Sequence, residues 1–118
     1  MALRHDFETG QGETFTTVVT WEIGPDADNM EPFDITGYTA RMQLRKKHNS
    51  PDAAISLTDE DGLELGGAAG TVAVTIAAAL SSAIAPIKYV YDIELEAPDG
   101  AVKRLLAGTL TFTPEVSK

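Results

Sequence analysis

Short segments in which apolar and polar side chains alternate are the feature that most restricts the fold of this chain. The clearest covers residues 89–95, ends at the turn Pro98-Asp99-Gly100, and returns through residues 101–113. A second covers residues 38–45. Alternation with a period of two puts the apolar side chains on one face of a β-strand. Several short strands separated by turn residues are typical of an all-β sandwich or barrel.

Weaker alternation and β-branched residues predict four more strands, at residues 13–23, 54–58, 63–65 and 71–77. In the first of them one face carries the large apolar side chains, Phe15, Val19, Trp21 and Ile23. We expect this face to lie in the core.

Turn residues predict how these strands are connected. Asp61-Gly62 favours a hairpin between strands 54–58 and 63–65. Gly108 favours a β-bulge in the last strand, where the apolar pattern changes face. Residues 24–34 contain two prolines and several acids and amides, and are predicted to be a surface loop.

Residues 78–85 are predicted to form a short helical turn that ends before Pro86. A helical turn, a tyrosine-bearing strand and a terminal hairpin follow one another in this way at the end of an immunoglobulin-like sandwich. The chain has no Cys, so the sandwich would lack the disulfide of antibody domains. We predict an all-β fold: one domain, residues 1–118, forming an immunoglobulin-like antiparallel β-sandwich of seven or eight strands.

The charge balance limits the partners of the chain. Asp and Glu number 18 against 9 Lys and Arg, which gives a formal net charge of −9. Binding to phosphate backbones needs clustered basic residues, so we expect no nucleic-acid partner. Residues 65–87 are uncharged and long enough to span a bilayer, but they are rich in Ala and alternate as a strand does. We therefore expect no membrane partner.

The residues that most often carry enzyme or metal chemistry are sparse. His5 and His48 have no Cys with which to form a common zinc site, and Ser81-Ser82 lacks a nucleophile elbow. We expect a non-enzymatic protein without catalytic, cofactor or metal residues. For the acidic turn at residues 59–61 a bound cation and a solvated turn both stay open.

A basic stripe, defined as Arg41, Arg45, Lys46 and Lys47, lies in a stretch that has no acid between Asp34 and Asp52. It could dock on an acidic patch of a neighbouring subunit, or it could be a solvated face whose lysines protect a sheet edge. Two apolar residues of the acidic loop, Met30 and Phe33, could anchor a partner or pack on the end of the sandwich. These six residues are the predicted protein-interaction candidates.

Three groups of residues carry a resemblance to a known family. They are Asp6-Phe7-x-x-x-Gln11-Gly12-x-Thr14-Phe15 with Trp21; Asp34-Ile35-Thr36-Gly37-Tyr38-Thr39-Ala40-Arg41-Met42-Gln43-Leu44-Arg45; and Tyr89-Val90-Tyr91-Asp92-Ile93-Glu94-Leu95 with Asp99-Gly100 and Arg104-Leu105-Leu106-x-Gly108-Thr109-x-Thr111. The pattern resembles small bacteriophage virion proteins that are similar to the N-terminal domain of phage baseplate upper proteins. Residues 50–85 are its least distinctive part.

The resemblance implies a β-sandwich structural module without an active site, which helps to anchor receptor-binding parts to a phage tail. From it we expect a virion protein, made in the host cytoplasm, that binds other phage structural proteins of the tail, neck or capsid, or itself as a homo-oligomer. A capsid decoration or head-fibre protein is the first alternative. A carbohydrate-binding module is the second, although its usual aromatic platform would need the rings assigned here to the core, Trp21, Tyr38, Tyr89 and Tyr91.

Overall fold

The computed structural model describes residues 3–114, and the side chain of Leu3 is outside this description. Nearly all of its regular structure is β. The elements in chain order are β1 (Leu3–Arg4), β2 (Phe7–Gly10), β3 (Phe15–Thr20), β4 (Glu22–Ile23), β5 (Glu31–Pro32), β6 (Thr39–Arg45), β7 (Ile55–Thr58), β8 (Leu63–Leu65), a 3-10 turn (Gly67–Ala69), β9 (Thr71–Ile76), α1 (Ala78–Ser82), β10 (Lys88–Glu96) and β11 (Val102–Thr113). The predicted all-β sandwich is confirmed.

The strands form two facing sheets and a small hairpin. In the larger sheet the order is β11-β10-β6-β7, and β1 and β2 both pair with the outer edge of β11. The smaller sheet has the order β3-β9-β8, and β4 pairs with β5. All pairings between these strands are antiparallel except those of β1 and β2 with β11, which are parallel. The predicted antiparallel sandwich is therefore mixed at this one edge.

This strand order is that of an immunoglobulin-like domain, with β11, β10, β6 and β7 as strands G, F, C and C′ and β3, β9 and β8 as B, E and D. Tyr89 is the second residue of β10, the strand that follows α1 in the chain, and its hydroxyl donates to the carbonyl oxygen of Ala85 at 2.8 Å. Such a bond is the tyrosine corner of these domains. Two residues later, where antibody domains have a Cys, this chain has Tyr91.

The core lies between the two sheets and is made by the predicted alternation. Its fully buried side chains include Met42, Leu44, Val72, Val74, Ile76, Tyr89, Ile93, Leu95, Leu110 and Phe112. Tyr91 is buried as predicted, whereas Trp21 and Tyr38 are only half-buried and pack on the margin of the core. The assignment of these two rings to the core is corrected to its edge.

The predicted hairpin at residues 54–65 does not form. β7 pairs with β6 in the larger sheet, and β8 pairs with β9 in the smaller one. Leu57 and Leu63 are both buried and reach the core from opposite sheets. Gly62 has a φ of +100°, and a Cβ there would lie 2.7 Å from Cδ2 of Leu57. The Asp61-Gly62 pair is thus a corner where the chain changes sheet.

Two details of the predicted strands are wrong. The strand at residues 13–23 ends at Thr20, and Ile23 lies in β4 with 56% of its surface exposed. The bulge in β11 is at Leu105: Ile93 pairs with Leu106 and Glu94 with Arg104, which leaves Leu105 without an opposite residue. Because a bulge turns two successive side chains to one face, Leu105 and Leu106 are both buried.

The uncharged stretch at residues 65–87 is divided among the end of β8, the 3-10 turn, β9 and α1. Within residues 3–114 there is no helix long and apolar enough to cross a membrane. Residues 24–34 lie at the surface as predicted; β5 lies within this segment and pairs with β4, which directly precedes it.

Candidate interaction surfaces

The two arginines of the basic stripe lie on the outer face of the larger sheet, and Arg41 lies opposite acidic residues that are distant in sequence. Register pairs Arg41 of β6 with Glu94 of β10. Arg41 Nε donates to Glu94 Oε1 at 2.8 Å, and Nη1 to Glu96 Oε1 at 3.4 Å. These bonds raise the pKa of Arg41 above its ordinary value. The basic stripe therefore shares this face with carboxylates from β10, and the face carries mixed charge.

Arg45 is held by its own strand and the following loop. Its Nη2 donates to Gln43 Oε1 and its Nη1 to the carbonyl oxygen of Ser50, both at 2.8 Å. Lys46 and Lys47 are exposed, and within the described residues neither forms an ion pair. Of the four residues of the stripe, the two lysines are the ones that can offer their charge to a partner without breaking an internal bond.

A shallow groove of about 340 Å³ lies on the same outer face, between β6, β10 and β11. Asp92 lies on its floor, half-buried, and Nε of Arg104 is 3.5 Å from its Oδ2. Burial and the neighbouring Glu94 raise the pKa of Asp92, and Arg104 opposes them. Arg45 and His48 complete the polar lining. The groove offers both donors and acceptors, as a polar protein-binding surface does.

Of the two loop candidates, Phe33 packs on the end of the sandwich. Its ring stacks on Trp21 with centroids 4.1 Å apart and planes at 21°, and its N–H donates to the Trp21 carbonyl oxygen at 2.8 Å. Met30 is 40% exposed and lines a cleft of about 250 Å³ with Lys103 and Arg104. Met30 therefore remains the apolar candidate for a partner contact, and Phe33 supports the loop beneath it.

The acidic turn at residues 59–61 serves the fold. Asp59 Oδ1 accepts the Ala40 N–H at 3.1 Å, and the Asp59 N–H donates to the Ala40 carbonyl oxygen at 3.2 Å. This clasp joins the turn to the start of β6. Within residues 3–114 there is no group of three or more His, Asp and Glu side chains placed to hold a metal ion.

An N-terminal clasp, which sequence reasoning did not assign, ties residues 5–13 to the sandwich. Tyr91 donates its hydroxyl to the His5 carbonyl oxygen at 2.6 Å, and Asp6 Oδ1 accepts the Thr109 N–H at 3.0 Å. The latter bond lowers the pKa of Asp6. Gln11 Nε2 donates to the Ile84 carbonyl oxygen at 2.9 Å.

Gly108 and Ser81 complete the clasp. A Cβ at Gly108 would lie 2.1 Å from the His5 carbonyl oxygen, so only Gly allows β11 and the N-terminal segment to approach this closely. Ser81, fully buried, accepts the Gly12 N–H at 3.0 Å. The sequence signal for the clasp was the set of residues that carries the resemblance, because most of the clasp residues belong to that set.

In comparisons with known proteins, no family model and no curated protein matches the chain.

Proposed function

We propose that the chain is a non-enzymatic structural protein of a bacteriophage virion, a β-sandwich module that binds other tail or baseplate proteins in many copies. The observation that carries the proposal is the N-terminal clasp. Asp6, Gln11, Tyr91 and Gly108, which belong to the motif resembling phage virion proteins, all hold the first strands against the sandwich. The resemblance thus falls on residues that hold this sandwich together.

The surfaces support a role in binding proteins. The outer face of the larger sheet combines the Arg41–Glu94 pair with the groove around Asp92, so it presents both signs of charge within one patch. Mixed charge favours a defined orientation between neighbouring subunits. The free charges of Lys46 and Lys47 at the end of β6 extend this patch into an exposed loop.

The proposal is tested on particles of the phage or prophage that encodes the chain. Gradient-purified virions are separated into heads and tails, and each fraction is analysed by quantitative mass spectrometry. We expect the chain in the tail fraction in many copies per particle. Recovery in the head fraction would replace the tail assignment by the capsid decoration or head-fibre alternative. Absence from intact particles would overturn the virion function.

Contact through the lysine loop is tested in the same system. We expect Lys46→Glu with Lys47→Glu to reduce incorporation into particles, because the mutations reverse the unpaired charge of the loop. Glu60→Lys is a control for the reversal of an exposed charge outside this loop, on the acidic turn. Equal incorporation of both variants would exclude the lysine loop as a contact.

The carbohydrate-binding alternative depends on the cluster of Trp21, Phe33 and Tyr38. Trp21 stacks on Phe33, and Tyr38 meets both rings edge-on at centroid distances of 6.4 and 6.3 Å. Rings that pack on one another in this way offer little flat surface to a sugar. A glycan array is expected to give no binding. Binding that Trp21→Ala removes, while the variant stays folded, would favour this alternative.

A further inference from the structure

The edge strand β3 (Phe15–Thr20) differs from the other sheet edges. It has six residues, and the sequence from Thr14 to Trp21 contains no charge, Pro or Gly. Among the described residues β3 pairs with β9 alone, so its other side is an edge of the smaller sheet. The other edge of that sheet, β8, has three residues and contains Glu64. Proteins usually protect long edges with charge, Pro or a covering segment, and β3 has none of these devices in its sequence.

The hydrogen-bond pattern shows which backbone groups of β3 point to this edge. The Trp21 N–H donates to the Gly70 carbonyl oxygen at 2.8 Å, which makes Trp21 and Gly70 a bonded pair between the two chain segments. The Thr75 N–H donates to the Gly62 carbonyl oxygen at 2.8 Å, on the side of β9 that faces β8 and not β3. In an antiparallel ladder, pairs of opposite residues alternate between those whose backbones hydrogen-bond to each other and those whose backbones do not. Hence the residues opposite Thr71, Ala73 and Thr75 turn their N–H and C=O groups away from β9. They are Thr16, Val18 and Thr20.

The same three residues present exposed, uncharged side chains on the outer face, where 63% of Val18 is accessible. In a chain with a net charge of −9, most surfaces repel a second copy. The β3 edge is a stretch where this repulsion is small and unpaired backbone groups are available.

We propose that the β3 edge pairs with the β3 edge of a second copy of this chain, in an antiparallel arrangement about a two-fold axis at Val18. This register places Thr16 opposite Thr20 of the second copy, and it brings together the three backbone positions that point outward. It sets Glu22 opposite Thr14 and Glu13 opposite Ile23, so no two carboxylates face each other. The two smaller sheets then form one continuous sheet, by strand addition.

This inference follows from the sheet topology and does not depend on the virion assignment. The wild-type chain is examined by sedimentation velocity between about 10 µM and about 1 mM, a range suited to a weak interface. We expect a monomer–dimer equilibrium that shifts to dimer as concentration rises. A monomer throughout this range would overturn the proposal and leave the virion test unaffected.

Two lysine substitutions locate the interface. Val18→Lys places two like charges at the two-fold axis, and we expect it to abolish the dimer. Thr75→Lys is the matched control: Thr75 is exposed on the same face, but it lies on the central strand β9 and cannot block edge pairing. Loss of the dimer in both variants would indicate contact through the face, and loss in neither would place the interface elsewhere. Both results contradict edge pairing.

Amide hydrogen exchange gives a readout that needs no substitution. We expect the amides of Thr16, Val18 and Thr20 to exchange rapidly in dilute protein and to become protected in concentrated protein. Those of Thr17 and Val19 bond to β9 and should be protected at both concentrations. A dimer in which the first three amides still exchange rapidly would refute the proposed interface.

Discussion

Ser81 and Ser82 are adjacent serines in α1 that the structure uses differently, and they provide the sharpest test of the N-terminal clasp. Ser81 is fully buried, and its Oγ accepts the Gly12 N–H and donates to the Glu13 carbonyl oxygen, both at 3.0 Å, with the Ala78 carbonyl oxygen as a second acceptor at 3.2 Å. Ser82 is exposed, and its hydroxyl donates only within the helix, to Ala79 at 3.2 Å. Replacement of each by Ala removes the same atom from two different environments.

The expected magnitudes follow from the bonds lost. Ser81→Ala removes two bonds to the backbone of the N-terminal loop, each with a net value of about 0.5–1.5 kcal/mol. It also leaves the half-buried Gly12 N–H without its acceptor. We expect a decrease of about 2 kcal/mol in the free energy of unfolding. For a chain of this size that corresponds to a fall of about 8 °C in Tm. Ser82→Ala should change stability by less than about 0.5 kcal/mol.

The assay is urea unfolding of both variants, followed by far-UV circular dichroism and by Trp21 fluorescence. Amide exchange at Gly12 provides a local check, because this amide should lose protection in Ser81→Ala and keep it in Ser82→Ala. Equal stabilities of the two variants, within about 0.5 kcal/mol, would refute the clasp as a source of stability.

Three further predictions concern other parts of the larger sheet. In Gly108→Ala the new Cβ would overlap the His5 carbonyl oxygen, so the variant should displace the N-terminal segment and lower Tm by several degrees. An unchanged Tm would refute the close approach of β11 to His5. Asp92→Asn should raise stability at pH 7, because burial raises the folded-state pKa of Asp92 and so disfavours its ionised form in the folded protein. The gain in stability should vanish below the unfolded-state pKa of about 4, where Asp92 is protonated in both states. A stability difference that does not change with pH would refute this cause. Arg41→Glu places a third carboxylate beside Glu94 and Glu96, and it should lower Tm at low salt with partial recovery at about 0.5 M salt. An equal fall in Tm at both salt concentrations would show that charge is not responsible.

The Arg41 result also changes how docking should be tested. Reversal of an exposed surface charge usually changes stability by less than about 0.5 kcal/mol. The structure shows that Arg41 pairs with Glu94 and that Arg45 bonds to Ser50, so both reversals disturb the fold itself. Lys46 and Lys47 avoid this problem, and their reversal should keep stability within about 0.5 kcal/mol.

The strands of the sandwich could be predicted because strand periodicity is a local property. Each alternating segment, 38–45, 71–77 and 89–95, contains a strand whose alternating large side chains lie in the core, except Tyr38, which lies at the edge of the core. The helical turn before Pro86 could be predicted for the same reason, since Pro limits the conformation of its neighbours. The hairpin at Asp61-Gly62 could not be decided locally, because a turn signal does not specify which sheet the next strand joins.

The sequence by itself determined the all-β class, the positions of the main strands and the faces that form the core, because these depend on side-chain order along the chain. Only the tertiary structure decided which strands are neighbours. Pairing of β6 with β10 turned an apparently basic stripe into a face of mixed charge, through Arg41 and Glu94. Pairing of the first strands with β11 left β3 at the edge of its sheet. Such contacts join residues far apart in sequence, and no local pattern encodes them.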